Sequence, residues 1–192
     1  MNIIGITGGI GSRKSILSKL FEVFGIPVYI ADREAKKLMD SSSDIRLKLI
    51  EKFGKTIYSE TNLNRKKLAA LIFSDPEAVS YVNSIVHPAV QADFVHWIKS
   101  RSCSIVAIES AILFESGFDL LVDFIVTVSA PLETRIERVR KRDYSSEKEI
   151  ADRIKNQISE KERINRSDFV ILNDDLHALV PQMELLLRTI ES

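Results

Sequence analysis

Cysteine is nearly missing from this sequence: Cys103 is the only one. One thiol excludes an intrachain disulfide framework and a thiolate metal cluster. Set in an apolar run, it reads as a quiet buried group. Histidine is scarce as well, and His87, His96 and His177 are too scattered to suggest a histidine metal site. Charge of one sign is also missing. The 27 Lys+Arg offset 27 Asp+Glu to a formal net charge of +0, so nonspecific nucleic-acid binding would need a strong local patch. No run reaches the roughly 18 apolar residues of a membrane span. The N-terminus lacks a basic lead before a cleavable apolar segment, so the expectation is a cytoplasmic enzyme or adaptor. What is present is 192 residues, 45% hydrophobic and 28% charged. That suits a folded domain with a real core, with room for a small inserted lobe, and argues against disorder.

Residues 2–6 read as a buried strand, residues 7–15 as a glycine-rich turn, and Ile16 to Phe24 as a helix by the spacing of its apolar residues. Ile26 to Ile30 is a second strand, followed by Asp32 as the cap of a helix to about Met39. This opening is α/β with parallel strands. About sixty mostly helical residues follow, in which His87-Pro88 is read as an interruption with Pro88 opening a new helix. Strands resume at Cys103 to Ile108, Phe124 to Val128 and Phe169 to Leu172, separated by an Arg-rich helix and a charged segment with a helical core near Glu147 to Ile158. A helix from Asp175 to about Ile190 closes the chain.

The turn carries the strongest chemical signal. A phosphate-binding loop requires Gly, four residues, Gly, Lys, then Ser or Thr. The sequence supplies Gly8, Gly9, Ile10, Gly11, Ser12, Arg13, Lys14 and Ser15, with Arg13 where the second glycine belongs. Small residues let the backbone wrap a phosphate and aim N–H groups at it, and the following helix adds its positive end. Lys14 would reach the β- and γ-phosphates and Ser15 would hold Mg²⁺. Arg13 leaves two outcomes open. A positive φ there costs about 1–2 kcal/mol or the side chain blocks the pocket; helical dihedrals with the side chain turned outward cost little.

Thr7 to Ser15, Asp32, His87-Pro88, Leu113-Phe114-Glu115, the helix ending Arg142-Asp143, Arg153-Ile154 with Gln157, and Asp168-Phe169-Val170-Ile171 with Asn173 together resemble dephospho-CoA kinases, in order and over nearly the whole chain. The resemblance implies a P-loop kinase of the nucleoside-monophosphate-kinase class. Its fold would be three layers, α/β/α, around five parallel strands in the order 2-3-1-4-5. Residues 1–40 and 101–192 would form the nucleotide core, with a lid at about 140–165, and residues 41–100 the lobe for dephospho-CoA. The implied reaction moves phosphate from ATP, with Mg²⁺, to the ribose 3′-hydroxyl of dephospho-CoA.

The resemblance points to Asp32 as the carboxylate that orients or deprotonates that hydroxyl; a plain helix cap is the alternative. It makes Arg140 the lid cation that stabilises the transferring phosphate, with Arg142 in reserve and Arg138 near the base. A solvated helix face is the other reading of that basic run. Lys66, His87, Glu109 and Leu113 fall on the acceptor side. Lys66 is equally well a wet surface residue, His87 a core or cap histidine, and Glu109 either a Mg²⁺ neighbour or a partner for a local cation. Two departures stand out: Arg13, and Ala111 where the family has proline. Reduced turnover is expected from Arg13. Another small-molecule kinase of the same fold, or a nucleotide-binding protein impaired at Arg13, are the competing functions. No Asn-Lys-x-Asp guanine-reading pattern supports a GTPase. The expected partners are small molecules, neither nucleic acid nor membrane, and a monomer is favoured.

Overall fold

A computed structural model describes residues 1–73, 75–143 and 146–191. The chain divides into two compact units, Met1–Ile30 with Ser102–Ser192, and Ala31–Arg101. The first contains β1 (Asn2–Thr7), α1 (Lys14–Val23), β2 (Val28–Ile30), β3 (Ile105–Glu109), β4 (Phe124–Ser129), α6 (Leu132–Asp143), α7 (Glu147–Lys155), α8 (Glu160–Asn165), β5 (Phe169–Leu172) and α9 (Leu179–Glu191). The second contains α2 (Ala31–Ser41), α3 (Ser43–Phe53), α4 (Arg65–Ile72) and α5 (Pro76–Lys99).

The five strands form one parallel sheet in the order β2-β3-β1-β4-β5, the middle layer of a three-layer α/β/α fold. Parallel strands covered on both faces read as unbroken apolar runs, and Ile4, Ile6, Val126, Val128 and Ile171 form the middle of the core. Leu17 and Phe21 of α1 and Met183 and Leu186 of α9 pack against them. α1 stops at Gly25, whose φ of 78° allows the Gly25 N–H to reach Glu22 O and the Ile26 N–H to reach Phe21 O. The strand order sets β1 between β3 and β4, so Thr7 delivers the loop at the carboxyl edge of the sheet's centre, with Glu109 in register beside Ile6.

Four readings need correction. Pro88 does not begin a helix: α5 runs through it. Ala78, Val82, Val86, Val90 and Phe94 recur every four residues on one buried face, and that continuous packing outweighs the hydrogen bond lost at Pro88. Asp32 is not a cap, because Ala31 is already helical; Asp32 stands in the first turn, where its charge suits the helix dipole. The last helix begins at Leu179, not Asp175. The Asp174 carboxylate accepts the N–H groups of Leu176 and His177, forming a turn, and Pro181 then falls in the first helical turn, where its missing N–H costs nothing. Cys103 is half-buried in the bend before β3, flanked by Ser102 and Ser104, rather than deep in a strand.

The helical unit starts at Ala31, so α2 belongs to it. Its core joins Ile45, Leu49, Ile57, Leu63 and Leu68 to the α5 face. The Tyr58 hydroxyl donates to Met39 O at 2.7 Å and Asp40 accepts the Leu63 N–H at 2.9 Å, which fastens the Tyr58–Leu63 bridge to α2.

Candidate active site

The loop after β1 is held from outside. Asn173, one residue past β5, donates its side-chain N–H to Ser12 O at 3.0 Å. The same peptide plane therefore turns the Arg13 N–H the opposite way. The Gln157 side chain accepts the Ile10 N–H at 2.9 Å and donates to Ala111 O at 3.0 Å, linking the loop to the segment after β3. Glycines keep the loop clear where α6 comes close. A Cβ on Gly9 would collide with the guanidinium of Arg135, and one on Gly11, φ 81°, would fall on the Arg135 backbone.

Ser12 Oγ and Thr7 Oγ1 are buried and have no hydrogen-bond partner among the described residues. A buried hydroxyl without a partner is costly unless a ligand completes it. Glycine-lined closeness, unsatisfied hydroxyls and the start of a ten-residue helix at Lys14 fit a phosphate chain. Ser15 is exposed at that start. Glu109 accepts a hydrogen bond from Ser18 Oγ on α1 at 2.5 Å. A hydroxyl and one carboxylate suit Mg²⁺, which keeps several waters and takes its remaining ligands from phosphates.

Two arginines lie behind the loop that the sequence reading had not singled out as site residues. Arg135 and Arg163 are both buried, and the Glu160 carboxylate serves both, at 3.6 Å from Arg135 Nη1 and 2.7 Å from Arg163 Nη1. Burial lowers the Arg163 pKa from its ordinary value; Glu160 works against that shift. Both guanidiniums lie against Gly9.

Gly11, Arg13, Ser15, Thr134, Arg138 and Asp175 help to line a pocket of about 480 Å³ in the same unit. Arg138 donates to Asn173 O at 2.8 Å and pairs with Asp175 at 2.8 Å. Arg142 lines the pocket too, and its guanidinium meets Asp143 at 2.7 Å. Asp143 also receives Arg153 at 2.8 Å, and its pKa falls to about 2 because Arg142, then Arg153, hydrogen-bond its charged form. Arg140 is exposed on α6 and is not among the residues lining the pocket. Tyr144 and Ser145, inside the expected lid, lie outside the described residues.

Arg13 combines both outcomes left open by the sequence. Its backbone is left-handed, φ 63° and ψ 41°, so the strain is present. Its side chain nevertheless turns outward, 47% exposed, to Asp175. Leu113 is fully buried, next to the space a Cβ on Gly5 would need, so it is a core residue without surface for a substrate. In the helical unit Asp32 and Lys66 are exposed, and His87 is half-buried with its pKa lowered by burial. Arg65, beside Lys66, is occupied by Asp40 and Lys36 O. No helix among the described residues is long and apolar enough to cross a membrane.

A family model described as dephospho-CoA kinase matches residues 2–178. The chain is 46% identical to the dephospho-CoA kinase of Bacteroides fragilis over 94% of its length and 88% of that protein. It is 42% identical to that of Porphyromonas gingivalis over 100% of its length and 96% of that protein. A crystal structure of a Thermus thermophilus protein superposes with a TM-score of 0.83 at 31% identity, covering 98% of this chain and 95% of that one. Sequence, sheet order and loop geometry agree, and the chain belongs to the dephospho-CoA kinase family.

Proposed function

We propose a division of labour for the reaction of this family member, the ATP-dependent phosphorylation of dephospho-CoA to CoA. The loop Gly8–Ser15 cradles the β- and γ-phosphates of ATP, and Lys14 follows the charge that moves during transfer. Ser15 is the hydroxyl for Mg²⁺, and Glu109 is the carboxylate on the same sheet edge. Bound Mg²⁺ would neutralise charge shared between the two phosphates. The pocket lined by Arg138 and Arg142 takes the nucleoside.

Asp32, exposed in the first turn of α2, takes the proton of the ribose 3′-hydroxyl as that oxygen attacks phosphorus in line and ADP leaves. The helical unit carries the acceptor contacts, with Lys66 for its phosphates and His87 as a second acceptor-side residue. Arg140, on α6 ahead of α7 and α8, is the cation that a lid of about residues 140–165 brings to the transferring group. Closure would also keep water from the phosphate.

The observation that carries this reading is the loop itself: a glycine cradle with buried, unsatisfied Ser12 and Thr7 hydroxyls, backed by Arg135 and Arg163. A coupled ADP-release assay with ATP, Mg²⁺ and dephospho-CoA tests it. Lys14→Ala is expected to lose at least about 100-fold in kcat, and Asp32→Asn about 100- to 10,000-fold. Wild-type rates in either variant would remove that residue from the assignment. Failure of the wild-type chain to consume dephospho-CoA while consuming another acceptor would replace the substrate.

A further inference from the structure

We propose that Arg13 is a phosphate-contacting residue that Asp175 holds in reserve at the rim of the nucleotide pocket, and that incoming ATP takes its guanidinium from Asp175. The inference rests on the reading of Gly8–Ser15 as the ATP site. It goes further by giving a role to the loop position where glycine is missing.

Arg13 and Asp175 are the two non-glycine residues with positive φ among the described residues, at 63° and 68°, and they meet each other. Asp tolerates that region; arginine does so only under strain. Both line the pocket with Gly11 and Ser15, so the strained pair stands where the loop, the nucleotide pocket and solvent meet.

The contacts differ in length and exposure. Arg138 Nη2 lies 2.8 Å from Asp175 as an ion pair without hydrogen-bond geometry, its side chain only 8% exposed, and Arg138 Nη1 is anchored on Asn173 O. Lys141 holds Glu137 at 2.6 Å and Arg142 holds Asp143 at 2.7 Å. Arg13 reaches Asp175 through one longer contact of 3.3 Å, with both side chains about half exposed, at 47% and 59%. Such an exposed pair contributes little and is weakened by salt. Asp175 remains paired with Arg138 when Arg13 leaves. A polyphosphate offers the planar guanidinium more charge and more acceptor oxygens than one carboxylate shared with a second arginine. The exchange therefore runs toward the nucleotide. It also explains why a cation is tolerated beside Lys14: its side chain leaves the loop outward, and the cradle stays clear.

Calorimetric titrations with ATP and with adenosine, at low and high salt, on the full chain and its variants test this. Arg13→Gly, which also relieves the left-handed strain, is expected to bind ATP about tenfold more weakly. Its ATP binding should depend less on salt, and its adenosine binding should fall by much less than its ATP binding. Arg13→Lys, which keeps the charge, should fall between. Asp175→Asn should tighten ATP binding a few-fold when Arg13 is present and not in the Arg13→Gly background. Thermal melting confirms that each variant is folded. ATP binding by Arg13→Gly that equals or exceeds wild type overturns the proposal. So does an equal loss for ATP and adenosine, or an effect of Asp175→Asn that ignores Arg13. A wild-type chain that binds neither ligand overturns the proposal together with the ATP-site reading beneath it.

Discussion

Glu160 answers two buried guanidiniums, and its second carboxylate oxygen is already taken by Ser129 Oγ at 2.8 Å. Arg163 is 2% exposed, and removing the partner of a buried charge costs more than the pair itself contributes. Glu160→Gln keeps the shape and removes the charge. It is expected to lower unfolding free energy by roughly 3 kcal/mol, read by urea denaturation. A loss under about 1 kcal/mol would mean that Glu115, the other anion acting on Arg163, carries the compensation instead. Gly9 lies against the same two guanidiniums. Gly9→Ala should therefore displace Arg135 and weaken ATP binding even where the fold survives, which the titration detects.

At the scale of the element, α5 shows where local rules stop. A proline inside a helix costs about 3 kcal/mol, yet five apolar residues at four-residue spacing keep α5 whole across Pro88. Pro88 is exposed, so Pro88→Ala restores an N–H without disturbing that face. The expected gain is about 1–3 kcal/mol, measured by urea denaturation; no gain would show that the helix already accommodates the ring at no cost. The central strands were legible because a parallel strand covered on both faces is one apolar run, as in residues 3–6 and 105–108. The loop was legible because its chemistry demands fixed residues at fixed spacing. The paired burial of Arg135 and Arg163 was not: Glu160 lies one turn from Arg163, but Arg135 and Gly9, distant in sequence, complete the arrangement. The signal for the start of α9 is Pro181, a proline that belongs in a first turn, and it outweighs the apolar spacing that extends back to Leu176. The direction of the Arg13 side chain depended on Asp175, 162 residues away.

For the whole molecule, the two units carry their pH-sensitive groups separately. His87 belongs to the helical unit and Asp143 to the sheet unit. Burial lowers the His87 pKa below its ordinary 6.5. On acidification the unfolded chain binds that proton first, so stability falls as pH drops below about 6.5. Asp143 is held near 2 against an ordinary 3.8, through Arg142 and then Arg153. Its contribution is complete above about pH 4 and is lost as pH falls toward 2. The single tryptophan, Trp97, lies on α5 beside Phe94, with ring centroids 6.1 Å apart, and so reports on the unit that holds His87. Urea midpoints followed by Trp97 fluorescence should therefore fall between pH 7.5 and 5.5, and His87→Gln should flatten that drop. Asp143→Asn should leave the drop intact and remove part of the further loss between pH 4 and 2 followed by circular dichroism. A Trp97 midpoint that stays constant from pH 7.5 to 5.5, or that falls equally in His87→Gln, would overturn the assignment of the first step to His87.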